Sequence, residues 1–216
     1  LEGRLEEMIK ELTAISRQAA SEADRPVYLA GDLTMTGRQL SPTGEMALEE
    51  LIEVYKEQLV ALRDAGADLL VVETMMSLAE TRAAMIAAKE VCELPVMVTM
   101  TFEADGRTLY GTDAGPAAVV LEALGAAAIG ANCSTGPAAM KQVIADMAGC
   151  AGIPIIAKPN AGLPFLDADG KTNYDMDAEE FAEEMALLAQ AGATILGGCC
   201  GTPPEQIKRL AVRIGP

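Results

Sequence analysis

Apolar residues along this chain switch repeatedly between helical and strand spacing, and the order of the switches sets the expected fold. Leu5, Met8, Ile9, Leu12 and Ile15 recur at three- and four-residue intervals, which predicts an opening helix over roughly residues 2–22. A short apolar run at 27–31 reads as the first strand, ending in Gly31-Asp32. Gly37, Ser41, Pro42 and Gly44 mark a loop before a helix over 46–65. The alternation continues with strand 67–73, helix 78–91, strand 95–102, helix 116–124, strand 126–131 and helix 137–148. Strand 153–158, helix 178–191, strand 193–197 and a helix from about Pro203 complete it. Residues 103–114 and 159–177 are expected as loops, the first with an Asp105-Gly106 turn. Gly66 and Gly192, in the similar linkers Asp64-Ala-Gly-Ala-Asp68 and Gln190-Ala-Gly-Ala-Thr194, are placed for helix C-caps.

Helix and strand in regular turn imply a parallel sheet. The count is six strands and seven helices, with a helix first, in one domain spanning residues 1–216. A (β/α)8 TIM-type barrel takes eight strands and usually ~250 residues. Six strands would suit such a barrel if its first two strands were lacking, the domain hence being N-terminally incomplete. A six-stranded open sheet is the alternative that spacing does not separate. Exposed strand edges in an incomplete barrel lead us to expect an N-terminal partner segment or self-association.

Composition narrows the chemistry. Half the residues are apolar but only 3% are aromatic, so the core must be Ala, Leu, Val, Ile and Met. A formal net charge of −16 argues against nucleic-acid and anionic-membrane partners, because no basic stripe meets phosphates. No apolar run approaches the ~20 residues of a membrane span and no signal peptide is visible. Five cysteines, odd in number, do not resemble a secreted disulfide framework. A cytoplasmic location is expected. The chain has no histidine, which excludes Ser-His-Asp and Cys-His nucleophile systems and histidine metal ligands within it.

Three of the cysteines sit where α/β folds place chemistry. Cys133, in Gly-Ala-Asn-Cys-Ser, follows the apolar run 126–131. Cys199-Cys200, in Gly-Gly-Cys-Cys-Gly-Thr-Pro-Pro-Glu, follows the run 193–197. The C-terminal ends of parallel strands share one face of the fold, so the three thiols are expected to converge. Their convergence without histidine points to a sulfur-rich zinc site with one open position. A vicinal Cys199–Cys200 disulfide or a redox pair is the competing reading, and the flanking glycines suit either; Cys133, outside the pair, favours the metal. Cys92 and Cys150, at helix ends, read as structural. Zinc held by three thiolates is a weak Lewis acid towards water but lowers the pKa of a fourth thiol, which suits alkylation of a substrate sulfur. Lys158, at a strand end, leaves a Schiff-base lyase or isomerase as a further alternative.

Three segments carry a resemblance: Gly130-Ala-Asn-Cys-Ser-Thr-Gly-Pro137, Lys158-Pro-Asn-Ala-Gly-Leu-Pro164 and Gly197-Gly-Cys-Cys-Gly-Thr-Pro-Pro-Glu-Gln-Ile207. With Ala30-Gly-Asp32, Val71-Val-Glu-Thr-Met75 and Thr99-Met-Thr-Phe102, all in family order, the chain resembles the homocysteine S-methyltransferase family. Within it the likeness is greatest to the homocysteine-binding modules of cobalamin-dependent methionine synthases. The resemblance implies a (β/α)8 barrel, zinc on Cys133, Cys199 and Cys200, and methyl transfer to homocysteine giving methionine. It assigns Glu73 to the homocysteine amino group; an unpaired carboxylate ending an apolar run would otherwise be costly. Asn132 is expected either to contact the ligand or to support the zinc site, and Asp32 to face the pocket or cap a turn. Asn160 and Gly162 are expected to shape the loop after the fifth strand, and Thr99 and Thr101, alternating with Met100, to share one face.

The Gly-rich Asp-Gly-Ala-Met-Gly-type opening segment of the family has no counterpart here, so one side of the pocket is expected to be absent. The motif details lean towards methylcobalamin as donor, supplied in trans by a cobalamin-carrying domain or protein, since this chain offers no motif to bind it. S-methylmethionine- or betaine-type donors are the alternatives. A zinc- or thiol-binding module without catalysis is the alternative from a different functional class.

Overall fold

The structure is a computed structural model that describes residues 2–133 and 136–215. After a short 3-10 turn come α1 (Leu5–Ser21), β1 (Ala30–Leu33), α2 (Leu48–Asp64), β2 (Leu69–Met75), α3 (Leu78–Val91) and β3 (Val96–Met100). Then follow α4 (Ala114–Ala123), β4 (Ala128–Cys133), α5 (Pro137–Ala148) and β5 (Ile155–Pro159). A hairpin of β6 (Pro164–Leu166) and β7 (Thr172–Tyr174) precedes α6 (Ala178–Gln190), β8 (Ile195–Leu196) and α7 (Pro204–Ile214).

Six strands form one all-parallel sheet in the order β1-β2-β3-β4-β5-β8, and β6 and β7 pair separately and antiparallel. Each new strand of the sheet is laid beside the last, so there is no reversal of strand order. Right-handed crossovers in one direction put every helix on the same face. Consistently, α1 packs on α2, α2 on α3, α4 on α5, α5 on α6 and α6 on α7. This singly wound α/β layout is that of a barrel wall, with six strands and seven helices as expected. It is not closed: among the described residues β1 and β8 do not pair with each other.

The outward face of the sheet and the inward face of the helices make the core. Leu70, Val72, Met75, Val98, Met100, Ile129 and Ala157 meet Leu51, Leu59, Ala83, Ala84, Ala87 and Phe181, all buried. Four buried alanines of α3 let that helix lie close, which is how a core with so few aromatics fills space. The loop that carries the chain from β1 to α2 is pinned from beneath by Glu80, only 5% exposed. Its Oε1 accepts from the Thr36 N–H at 2.7 Å, the Thr36 hydroxyl at 2.7 Å and the Tyr55 hydroxyl at 3.0 Å. Burial, then the Glu80 charge, hold the Tyr55 phenol far above its ordinary range.

Helix boundaries agree with the sequence reading to within three residues, but the strands begin later than expected. The first strand is Ala30–Leu33 and not 27–31, the fourth Ala128–Cys133 and not 126–131, the fifth Ile155–Pro159 and not 153–158. Ala67, Ala126 and Ala193, taken as strand starts, belong to the preceding helix ends. Their N–H groups bond the carbonyls of Leu62, Leu121 and Leu188, while Gly66, Gly125 and Gly192 bond Arg63, Glu122 and Ala189. These are paired Schellman bonds, with glycine left-handed at each turn. Residues 159–177 are not simply a loop, because they contain the β6–β7 hairpin.

Candidate metal centre

Residues paired in register on neighbouring parallel strands share a face. The helix-free inner face therefore carries rows that climb toward the strand C-termini. The lowest is Asp32, Val71, Met97 and Ala128; the next contains Thr99, Gly130, Ile156 and Ile195, with Glu73 two residues after Val71. Above these, Asn132 pairs with Lys158, and Cys133 ends β4 beside Pro159. Thr99 lies in the inner rows and Met100 in the core behind them, as the alternation predicted.

At the top of this face the three expected thiols meet. The sulfur of Cys200 lies 3.8 Å from that of Cys133 and 3.9 Å from that of Cys199. All three sulfurs fall within 4.8 Å of one another, and all are free thiols, so the vicinal disulfide is not what the structure adopts. Tetrahedral bonds of ~2.3 Å to zinc place sulfur ligands roughly 3.8 Å apart. The spacing would suit a zinc ion held by Cys133, Cys199 and Cys200, which would leave one position for a fourth ligand. Cys200 is exposed, and the other two are partly buried.

Backbone and amide contacts fix the trio. The Cys199 N–H donates to the Pro159 carbonyl at 2.9 Å, and the Cys200 carbonyl accepts from the Ala161 N–H at 3.0 Å. The Cys200 N–H donates to Oδ1 of buried Asn160 at 3.1 Å, so Asn160 shapes the cysteine loop as well as its own. Gly201 adopts φ +75, and a Cβ there would meet the Tyr174 ring at 2.1 Å. That ring comes from β7; burial, then Cys200 and the other thiols, hold its phenol above its usual range.

Asn132 is fully buried below the thiols. Its Oδ1 accepts from the Thr74 N–H at 3.0 Å and its Nδ2 donates to the Thr74 hydroxyl at 2.8 Å, with Nδ2 also 3.7 Å from the Cys199 sulfur. Thr74 and Cys133 both have left-handed backbones, φ 60 and φ 63. For a β-branched residue that is a strained conformation, and it persists because Asn132 holds it from both ends. The bulge this creates in β2 lies between Val72 and Met75 and aims Glu73 into the pocket.

Glu73 is ion-paired there with Lys158, the side chains 19% and 32% exposed. Lys158 thus has a carboxylate partner on the inner face. Asp32 stands open on the same face. Its carboxyl is pushed up to about 6, first by partial burial, then by the Glu73 charge, against the opposing pull of Lys158. The structure thus brings Cys133, Cys199, Cys200 and Asn132 together and sets Glu73 and Asp32 on the face below. Sequence reasoning missed Thr74, whose run reads as unbroken strand, and Tyr174. For the latter, Asp169-Gly170 between two short apolar-containing runs was a hairpin signal. Ser134 and Thr135 of the Asn-Cys motif lie outside the described residues.

A singly wound α/β wall carries, at its strand ends, three thiols placed so that they could hold a metal ion. The family model for homocysteine S-methyltransferase matches residues 1–214, and the chain belongs to that family. It is 34% identical over 220 residues to a methionine synthase of Mycobacterium tuberculosis and 35% over 211 residues to that of Mycobacterium leprae. Those matches cover 98% and 94% of this chain but only 18% and 17% of the relatives, so the chain spans less than a fifth of their length. Its fold is similar to that of the homocysteine methyltransferase MmuM from Escherichia coli, in the apo form. The TM-score is 0.80 at 22% identity, over 99% of this chain and 76% of that one.

Proposed function

We propose that this chain binds homocysteine as a thiolate and presents it for methylation, giving methionine, with zinc held by Cys133, Cys199 and Cys200. The observation that carries the reading is the set of three sulfurs at the strand ends, all within 4.8 Å of one another, with Cys200 at 3.8 and 3.9 Å from the other two. Zinc bound there supplies an open position that favours the thiolate form of an incoming thiol at neutral pH. The chain's own residues do the rest. Glu73, one row down, takes the substrate ammonium, with Asp32 facing the same space. Asn132 directs its amide N–H at the Cys199 sulfur and so relieves part of the charge gathered by three thiolates. Cys200, exposed, leaves the site approachable from above.

In the transfer a sulfur–carbon bond forms on homocysteine as the methyl group's bond to its donor breaks. The thiol proton would be released to solvent when homocysteine binds as the thiolate, and none moves in the transfer itself, so that step makes no demand on a histidine. Methylcobalamin is the proposed donor, delivered by another domain or protein; the far greater length of the methionine synthase relatives leaves room for such a domain. A location in the cytoplasm suits three free thiols. No described helix is long and apolar enough to cross a membrane.

Metal analysis of the purified chain tests the reading. Stoichiometric zinc that is lost in Cys133→Ala is expected, together with a shift from three to four sulfur ligands at the zinc edge on adding homocysteine. Methylation of homocysteine by free methylcobalamin then separates an enzyme from a thiol-binding module. A chain that purifies without metal and takes up none would refute the proposal.

A further inference from the structure

The reading above gives Glu73 the substrate ammonium but assigns nothing to the substrate carboxylate or to Lys158. We infer that Lys158 is the carboxylate-binding residue, and that the Glu73–Lys158 ion pair is a receptor for an amino-acid zwitterion. The inference rests on the proposed function and names how its substrate is selected.

Four observations carry it. Lys158 and Glu73 occupy neighbouring levels of the inner face, and in the absence of substrate they satisfy each other. Both side chains are mostly shielded, so neither charge gives up its partner without cost. An ammonium that displaced Lys158 from Glu73 would leave the lysine unpaired. The carboxylate on the same α-carbon supplies the replacement, and one internal ion pair becomes two intermolecular ones. Among the described residues of these inner rows, Lys158 is the single cation, beneath a thiol cluster that would repel a carboxylate once it holds its charge. Finally, the lysine stem lies along Gly197, where a Cβ would come within 3.3 Å of Lys158 Cγ. A bare glycine flank lets the ammonium lie across the pocket floor between the cysteine loop and β2.

Adjacent inner rows are two residues apart, roughly 6.6 Å along the strands. Homocysteine's two methylenes carry its α-carbon only part of that way from a sulfur held at the strand ends, and the long Glu73 and Lys158 side chains cover the remainder.

Calorimetric titration of the zinc-loaded full chain tests this without any turnover. The probes are L-homocysteine and 3-aminopropane-1-thiol, which lacks the carboxylate. The unsubstituted protein is expected to bind homocysteine about 10- to 100-fold more tightly, as a charge-assisted bond commands. Lys158→Met is expected to bind the two thiols alike, and Lys158→Arg to recover part of the preference. If the unsubstituted protein does not distinguish the two thiols, the inference fails whether or not the variants fold. It fails equally if Lys158→Met keeps the preference, or if it binds homocysteine more tightly because a competitor for Glu73 has been removed. If the zinc-loaded protein binds neither thiol, the proposed function itself falls and this inference with it.

Discussion

Asn132 shows how much one side chain can settle. Its amide spends both ends on Thr74 and approaches the Cys199 sulfur, so it joins the bulge that aims Glu73 to the site that would hold the metal. Replacing it with alanine strips partners from a buried N–H and a hydroxyl. Asn132→Ala is expected to destabilise the metal-free chain by about 2–4 kcal/mol in urea denaturation. Asn132→Asp keeps the acceptor for the Thr74 N–H but sets a carboxylate against a thiolate cluster. It should retain more stability than the alanine variant and lose more zinc affinity in chelator competition. Unchanged stability in both would mean the clamp holds nothing. At this scale the sequence was most informative for Cys133, Cys199 and Cys200, because a ligand's chemistry is visible in its residue type. It left Asn132 between two roles, because which way an amide points depends on Thr74, 58 positions away. The pairing of Lys158 is hidden for the same reason: its partner Glu73 is 85 positions distant.

Elements were legible where periodicity is long and punctuation is strong. The helices from α1 to α7 emerged with nearly correct bounds because three-to-four spacing persists over several turns. Strand starts did not, because the apolar residue following each Schellman glycine is indistinguishable in sequence from the first residue of a strand. Ala67, Ala126 and Ala193 bond backward to their helices, a fact that only the backbone reveals. The hairpin was missed because three-residue strands carry almost no pattern. It matters nonetheless, since β7 lays Tyr174 on Gly201. Gly201→Ala would combine a left-handed alanine, costing ~1–2 kcal/mol, with a collision against the ring. Weakened zinc retention is expected in chelator competition. Adding Tyr174→Ala should restore the part due to collision but not the backbone part. If the double variant is no better than the single, the ring is not what constrains the cysteine loop.

The whole molecule puts two opposing forces at its edge. β1 ends the sheet, and the backbone groups on its outer side face no described strand. A groove of about 290 Å³ runs between α1 and β1, lined by Ile9, Leu12, Leu29 and Leu62. Nearby Ile15 and Tyr28 are 66% and 73% exposed. No pattern in the sequence distinguished a barrel wall from an open sheet, because each strand reads alike whether or not its neighbour is present. Sequential strand order resolves the winding, and the free β1 edge makes the expected self-association a physical question. An unpaired parallel edge flanked by apolar side chains favours pairing with another chain. A net charge of −16 on each copy opposes it, and that repulsion is long-ranged only while salt is low, since screening shortens it to about 10 Å at 0.1 M. The 216-residue chain is therefore expected to associate more strongly as salt rises, the reverse of an interface built on ion pairs. Sedimentation velocity at low and high sodium chloride measures the trend, and Tyr28→Lys with Ile15→Lys should abolish it. A chain that stays monomeric at every salt concentration, or that associates only when salt is low, would show that the β1 edge is not where copies meet.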